Sequence, residues 1–187
     1  MSDRDRLPPR QKAVPQARVI NIATPPQFDP QTWTLEVDGL VERPLRLSWQ
    51  ELLDRVDYDA ASDFHCVEGW SVLGVRWEGV RLGTLLAEAG VKPEARFIFI
   101  ECSEGYTTSV PVEDGDDPDV VLAVKQDGRW LEPENGRPVR LVVPHRYAYK
   151  AAKFVSRITL LAEDRLGYWE LRGYHNEADP WKEQRRA

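Results

Sequence analysis

"ARFIFIECSEGYTTSVPV", residues 95–112, reads as two strands folded back on each other. In its first half Ile98, Ile100 and Cys102 fall at every second position, the period that places side chains on one face of a pleated strand. Glu104-Gly105 then breaks the run with turn chemistry, and Tyr106 opens the second half. An antiparallel pair at the middle of the chain sets what its neighbours have to join.

Toward the C-terminus, "DVVLAVKQDGRWL" (119–131) carries Asp127-Gly128, a two-residue hairpin signal, and "PVRLVVP" and "KFVSRITLLA" follow as further strands. Toward the N-terminus, "TWTLEVDG" (32–39) alternates apolar and polar positions as a half-buried strand does. The helices are short. "SWQELLDR" has Ser48 and Glu51 at the spacing of a capping box, and "LGTLLAEAG" ends on Gly90, a residue suited to a left-handed cap. Connections this short leave no room for repeated crossover helices, so the fold class is α+β, a single mixed, mainly antiparallel β-rich domain.

The length of 187 residues fits one buried core. Residues 1–16, charged and with three prolines, read as an extended N-terminal arm before a domain over 17–187, with ordered structure from near Val19. The aromatic, charged "GYWELRGYHNEADPWKEQRRA" reads as an ordered segment lying over the body. A formal charge of −6 argues against nucleic acid or anionic lipid as a partner. The longest apolar runs, such as "VVLAV", fall far short of the roughly 18 residues that span a bilayer. No apolar signal core or arginine pair stands in the first ten residues, so a cytoplasmic location is expected, with both cysteines reduced.

Two stretches carry chemistry. "DFHCVEGWS" (63–71) sets Cys66 beside His65 among polar residues and glycine, leaving three readings open: a packed thiol, a redox thiol, or a ligand to a thiophilic metal. Cys102 continues the face of Ile98 and Ile100 and reads as core. Residues 135–162 hold Arg137, Arg140, Arg146, Lys150, Lys153 and Arg157 without one acid. Either this is a strand face paired with acids of "VEDGDDPD" (112–119), or Lys150 and Lys153, with Ala151 and Ala152 between them, form a nest for a phosphate. His145 and His175 read as hydrogen-bonding residues. The zinc spacings, GxSxG, the P-loop and GxGxxG do not occur.

"HCVEGWS", "GYTTSVP" roughly forty residues on, and "NGRPVRLVVPHRYAYKAAKFV", taken together, resemble the molybdopterin-binding domain of the sulfite oxidase family. The likeness runs from about Phe28 to Arg185 and is strongest to small bacterial sulfite-oxidase-like oxidoreductases and to the catalytic subunit of the periplasmic methionine sulfoxide reductase. It implies molybdenum-molybdopterin (Mo-MPT) as cofactor and Cys66 as the metal ligand. It also implies cofactor contacts at Asn21, His65, Asn135, Arg140, Lys150, Ala151, Ala152 and Lys153, and catalytic roles for Cys66, Tyr106 and Lys150. Tyr106 corresponds to the family's pocket tyrosine, and Lys150 with Arg146 would draw in a small polar or anionic substrate. The Arg-Asn-His segment of sulfite oxidases has no counterpart in "ARVINIATPP", nor has the reductase's Asn-x-x-Tyr-Glu. The resemblance thus implies oxygen-atom or two-electron transfer with a separate electron-transfer partner; the alternative is a non-catalytic binding module for molybdopterin or another phosphorylated ligand on the same fold.

Overall fold

The computed structural model describes residues 3–187. Its strands are β1 (Lys12–Ala13), β2 (Thr34–Gly39), β3 (Leu45–Ser48), β4 (Tyr58–Cys66), β5 (Trp70–Arg81), β6 (Phe97–Cys102), β7 (Thr107–Pro111), β8 (Val121–Gln126), β9 (Arg129–Trp130), β10 (Arg140–Val142) and β11 (Val155–Leu161). Helices α1 (Trp49–Leu53) and α2 (Leu82–Ala89) follow β3 and β5 directly. One sheet runs β3-β2-β11-β6-β7; the other runs β1-β5-β8-β10, with β4 on β5 and β9 on β8. Only β1 with β5 and β2 with β11 pair in parallel; the other named pairs are antiparallel.

The central hairpin forms as its alternation dictates. Ile98 and Ile100 are fully buried and Cys102 nearly so, while Gly105 takes a φ of +92° in the turn to β7. At the β8–β9 turn both Asp127 (φ 50°) and Gly128 (φ 76°) are left-handed, the combination a tight two-residue hairpin requires. The principal core draws on both sheets, with Leu35, Val80, Ile98, Leu122, Leu141 and Ile158 in one cluster.

α1 begins with a complete capping box: Ser48 Oγ accepts from the Glu51 amide and Glu51 Oε2 accepts from the Ser48 amide at 2.8 Å. Ser48→Ala is expected to cost about 1 kcal/mol, read as a shift in the urea midpoint with an unchanged m-value. α2 closes on Gly90 at φ 70°.

The N-terminal stretch differs from its reading as an arm. Pro8 and Gln11 are buried, and β1 pairs with the start of β5 well before Val19. Gln11 explains this: its amide donates to the Cys66 carbonyl at 3.0 Å and its oxygen accepts from Ser71 Oγ at 3.1 Å. A polar, proline-containing sequence has no periodicity that announces such a partner. At the other end the C-terminal segment packs as expected, with Ala178 fully buried and its carbonyl accepting from the Tyr147 amide.

Candidate functional site

Cys66 ends β4, where the chain turns through Gly69 into β5, and it lines a cavity between the sheet and the segments that follow β1, β6, β9, β10 and β11. The cavity holds about 460 Å³. Its wall includes Asn21, Cys66, Tyr106, Asn135, Arg140, Ala151, Ala152 and Lys153, eight of the residues singled out in the sequence, brought together from five separate stretches. Cys66 is 6% exposed and burial pushes its thiol up to about 11. A thiol so placed is inert unless a cation stabilises its anion.

The basic segment is sorted by its neighbours. Arg146 pairs with Asp114, and Arg157 with Glu36 and Asp38, so part of it does face acids. Lys150 is fully buried, its Nζ 2.5 Å from Glu170 Oε1, 2.7 Å from the Ser109 carbonyl and 3.3 Å from Asn176 Oδ1. Burial draws its ammonium below the usual lysine range, against the pull of Glu170. Neither Lys150 nor Arg146 is on the cavity wall; Lys150 is paired with Glu170 and Arg146 with Asp114. His65 is also off the wall. It is buried, with Nδ1 2.8 Å from Ser71 Oγ, which joins it to the Gln11–Ser71 network.

Arg140 and Lys153 remain on the wall. Arg140 is 5% exposed and has no carboxylate within ion-pair distance among the described residues; its Nη1 and Nη2 donate to the carbonyls of Asn135 (3.2 Å) and Ala151 (3.5 Å), and its Nε has no hydrogen-bond partner. Its guanidinium lies 5.1 Å from the Phe64 ring centre and 5.3 Å from that of Trp77, and burial lowers its pKa to about 10. Lys153 Nζ donates to the Ile20 carbonyl (3.0 Å), Asn21 Oδ1 (2.7 Å) and the Glu134 carbonyl (2.7 Å). Burial and the Arg140 charge push it down to about 7. Gly136 allows this crowding: at φ 106°, it abuts the Lys153 and Arg140 side chains, and a Cβ there would sit 3.0 Å from Lys153 Cβ. Also on the wall, Tyr106 donates to the Tyr149 carbonyl, and burial holds its phenol protonated. Among the described residues no three His, Cys, Asp or Glu side chains cluster to hold a metal.

The model of the oxidoreductase molybdopterin binding domain matches residues 21–169. The chain belongs to this molybdopterin-binding oxidoreductase family. Its cofactor is therefore molybdenum-molybdopterin and its chemistry oxidoreduction. Members of this family with which it shares most of its length include the oxidoreductase YuiH of Bacillus subtilis, 39% identical over 181 residues, covering 96% of this chain and 91% of that one. The catalytic subunit MsrP of the protein-methionine-sulfoxide reductase of Gluconobacter oxydans is 32% identical over 160 residues, 76% of this chain but only 51% of the subunit. The crystal structure of the sulfane dehydrogenase SoxCD from Paracoccus pantotrophus superposes with a TM-score of 0.68 at 29% identity, over 74% of this chain and 40% of that one.

Within this family frame, the structure adds wall residues that the sequence left out. Glu104, read only as a turn residue, lines the cavity with Oε2 buried and unpartnered, and burial raises its carboxyl to about 7. Phe64, Trp70, Trp77, Tyr149, Trp169 and Tyr174 supply the aromatic part of the wall. Alternation would have assigned most of them to the core, and no sequence signal separates a ring that faces a cavity from one that faces a neighbour.

Proposed function

We propose that Cys66 is the single protein thiolate on molybdenum, and that Asn21, Asn135, Arg140, Ala151, Ala152 and Lys153 hold the phosphate-bearing molybdopterin that carries the metal. The observation that supports this most is Arg140: a buried guanidinium without a carboxylate, with an orphan Nε, opening on the same cavity as Cys66. Leaving such a charge unpaired is costly, and an anionic group at the wall offsets it. The residues therefore fit the cofactor: a soft donor at one place, a cationic cradle at another, and small Ala151 and Ala152 where backbone has to be approached.

Bound there, the cofactor supplies two-electron or oxygen-atom transfer at molybdenum. The protein's part is placement. Tyr106, kept protonated by burial, is a hydrogen-bond donor and not a base; to serve a substrate oxygen its hydroxyl exchanges the Tyr149 carbonyl for it. Glu104 offers a buried carboxyl to N–H donors of the cofactor. The aromatic wall excludes water around a small polar substrate. The relatives act, by their names, on protein methionine sulfoxide and on sulfane sulfur, so sulfoxides and sulfane-sulfur compounds are the substrates to test first. Electrons pass to or from a separate carrier protein. The family is one of oxidoreductases, which does not favour the non-catalytic binding module.

Arg140→Met tests the cradle. Cofactor retention through gel filtration, measured as pterin fluorescence after oxidation, should fall by about 10- to 100-fold, the range seen when residues supporting a metal site are lost. The circular dichroism of the apo-protein should be unchanged. Full retention would remove Arg140 from the cofactor site.

A further inference from the structure

We propose that the outer side of the aromatic wall, where Arg172, Arg185 and Arg186 sit on tyrosine rings beside the Cys66 cavity, is the docking surface for a small acidic electron-carrier protein. This rests on the reading of the cavity as a molybdenum site.

Trp169 and Tyr174 line the cavity. They belong to one aromatic cluster: Tyr168–Trp169 at 5.1 Å, Trp169–Tyr174 at 5.0 Å, Tyr149–Tyr174 at 5.2 Å and Tyr147–Tyr149 at 6.4 Å between ring centres, with Tyr147 and Tyr149 buried and Tyr168 and Tyr174 half-buried. Three guanidiniums cover it: Arg172 lies 3.6 Å from the Tyr168 ring centre, Arg186 4.1 Å from that of Tyr174 and Arg185 5.1 Å from that of Tyr147. None of the three has a carboxylate within ion-pair distance among the described residues. Arg185 instead donates to the carbonyl of Val67, the residue after Cys66, which ties the wall to the proposed metal ligand. Arg18, likewise without an ion pair there, adds a fourth cation at the cavity.

Of the nearby acids, Glu183 pairs with Arg10 and Asp179 with Lys182. Glu177 and the exposed Glu68 accept from the neutral donors Gln184 and Trp70 Nε1 and keep their charge, so the arginines outnumber the uncompensated acids without being alone. Leu171 (69% exposed) and Trp181 (50%) stand on the same C-terminal segment. Exposed arginine with Trp and Tyr is the composition of a protein-binding surface, not of a solvated face. In a chain of net charge −6 these unneutralised cations form a local positive field, and complementarity selects a negatively charged partner. Two one-electron carriers docking in turn balance one two-electron turnover.

The test uses the cofactor-loaded protein and its Arg172→Glu/Arg186→Glu variant, with a chemically reduced plant-type acidic ferredoxin as probe and a basic cytochrome c as contrast. Electron exchange with the ferredoxin, followed by its own absorbance in stopped flow, should slow at least about 10-fold in the variant, and likewise in the unmodified protein as salt is raised. Exchange with a small neutral dye, and molybdenum content, should not change. Equal ferredoxin rates in the two proteins, or a preference for the basic cytochrome, would overturn the proposal. Binding of the ferredoxin to the apo-proteins by calorimetry is measured alongside. Salt-sensitive binding lost in the variant upholds the surface even if the purified protein proves to carry no molybdenum, whereas that result would overturn the molybdenum reading alone.

Discussion

Replacing Cys66 by serine is expected to lower bound molybdenum from near stoichiometric to background and to take turnover below detection. The substitution changes one atom in a residue that is 6% exposed, and a hydroxyl fills the space of a thiol with little strain. Donor chemistry is what changes. A thiol is already hard to ionise here, with burial raising it to about 11, and only a soft, strongly bound cation draws out its anion. A serine hydroxyl is far less acidic and a harder donor, so the same metal gains much less from it. Molybdenum per chain by mass spectrometry, with the melting temperature of the apo-protein as a folding control, decides the matter. Stoichiometric metal and full turnover in the serine variant would show that Cys66 is not the ligand.

The second large effect is on stability. Lys150→Met is expected to destabilise the fold by about 3–5 kcal/mol, because it leaves the Glu170 carboxylate buried beside Thr108 without its cation. Changing both partners, Lys150→Met with Glu170→Leu, should restore most of that loss, since no uncompensated charge then remains. Urea unfolding reads both effects. A near-normal midpoint with lost turnover would instead return Lys150 to the reaction site.

These two residues show how far the sequence could be read. Cys66 stood out because it interrupts no apolar run and is flanked by His65 and Gly69; its cavity follows from where β4 ends. Lys150 stood out for the same reason as Lys153, a cation in an acid-free segment, yet they part ways in the fold. The 3-10 turn Ala148–Lys150 sends Lys150 inward to Glu170, a residue whose segment reads only as aromatic and charged. A pairing across 20 positions leaves no periodic trace. Glu104 was missed for the opposite reason. Beside Gly105 a glutamate is ordinary turn chemistry, and only the packing of the turn against the cavity leaves Oε2 without a partner.

By itself the sequence determined the strand-rich α+β fold, both helix caps, the β8–β9 hairpin and the family, because these rest on local alternation, local turn chemistry and ordered motifs. The tertiary structure alone decided which cations face the cavity, that His65 and Lys150 turn away from it, and that the N-terminal stretch is anchored through Gln11 to the Cys66 carbonyl. Those choices depend on which distant group satisfies each buried charge or donor, and neutralisation of that kind acts through space, not along the chain.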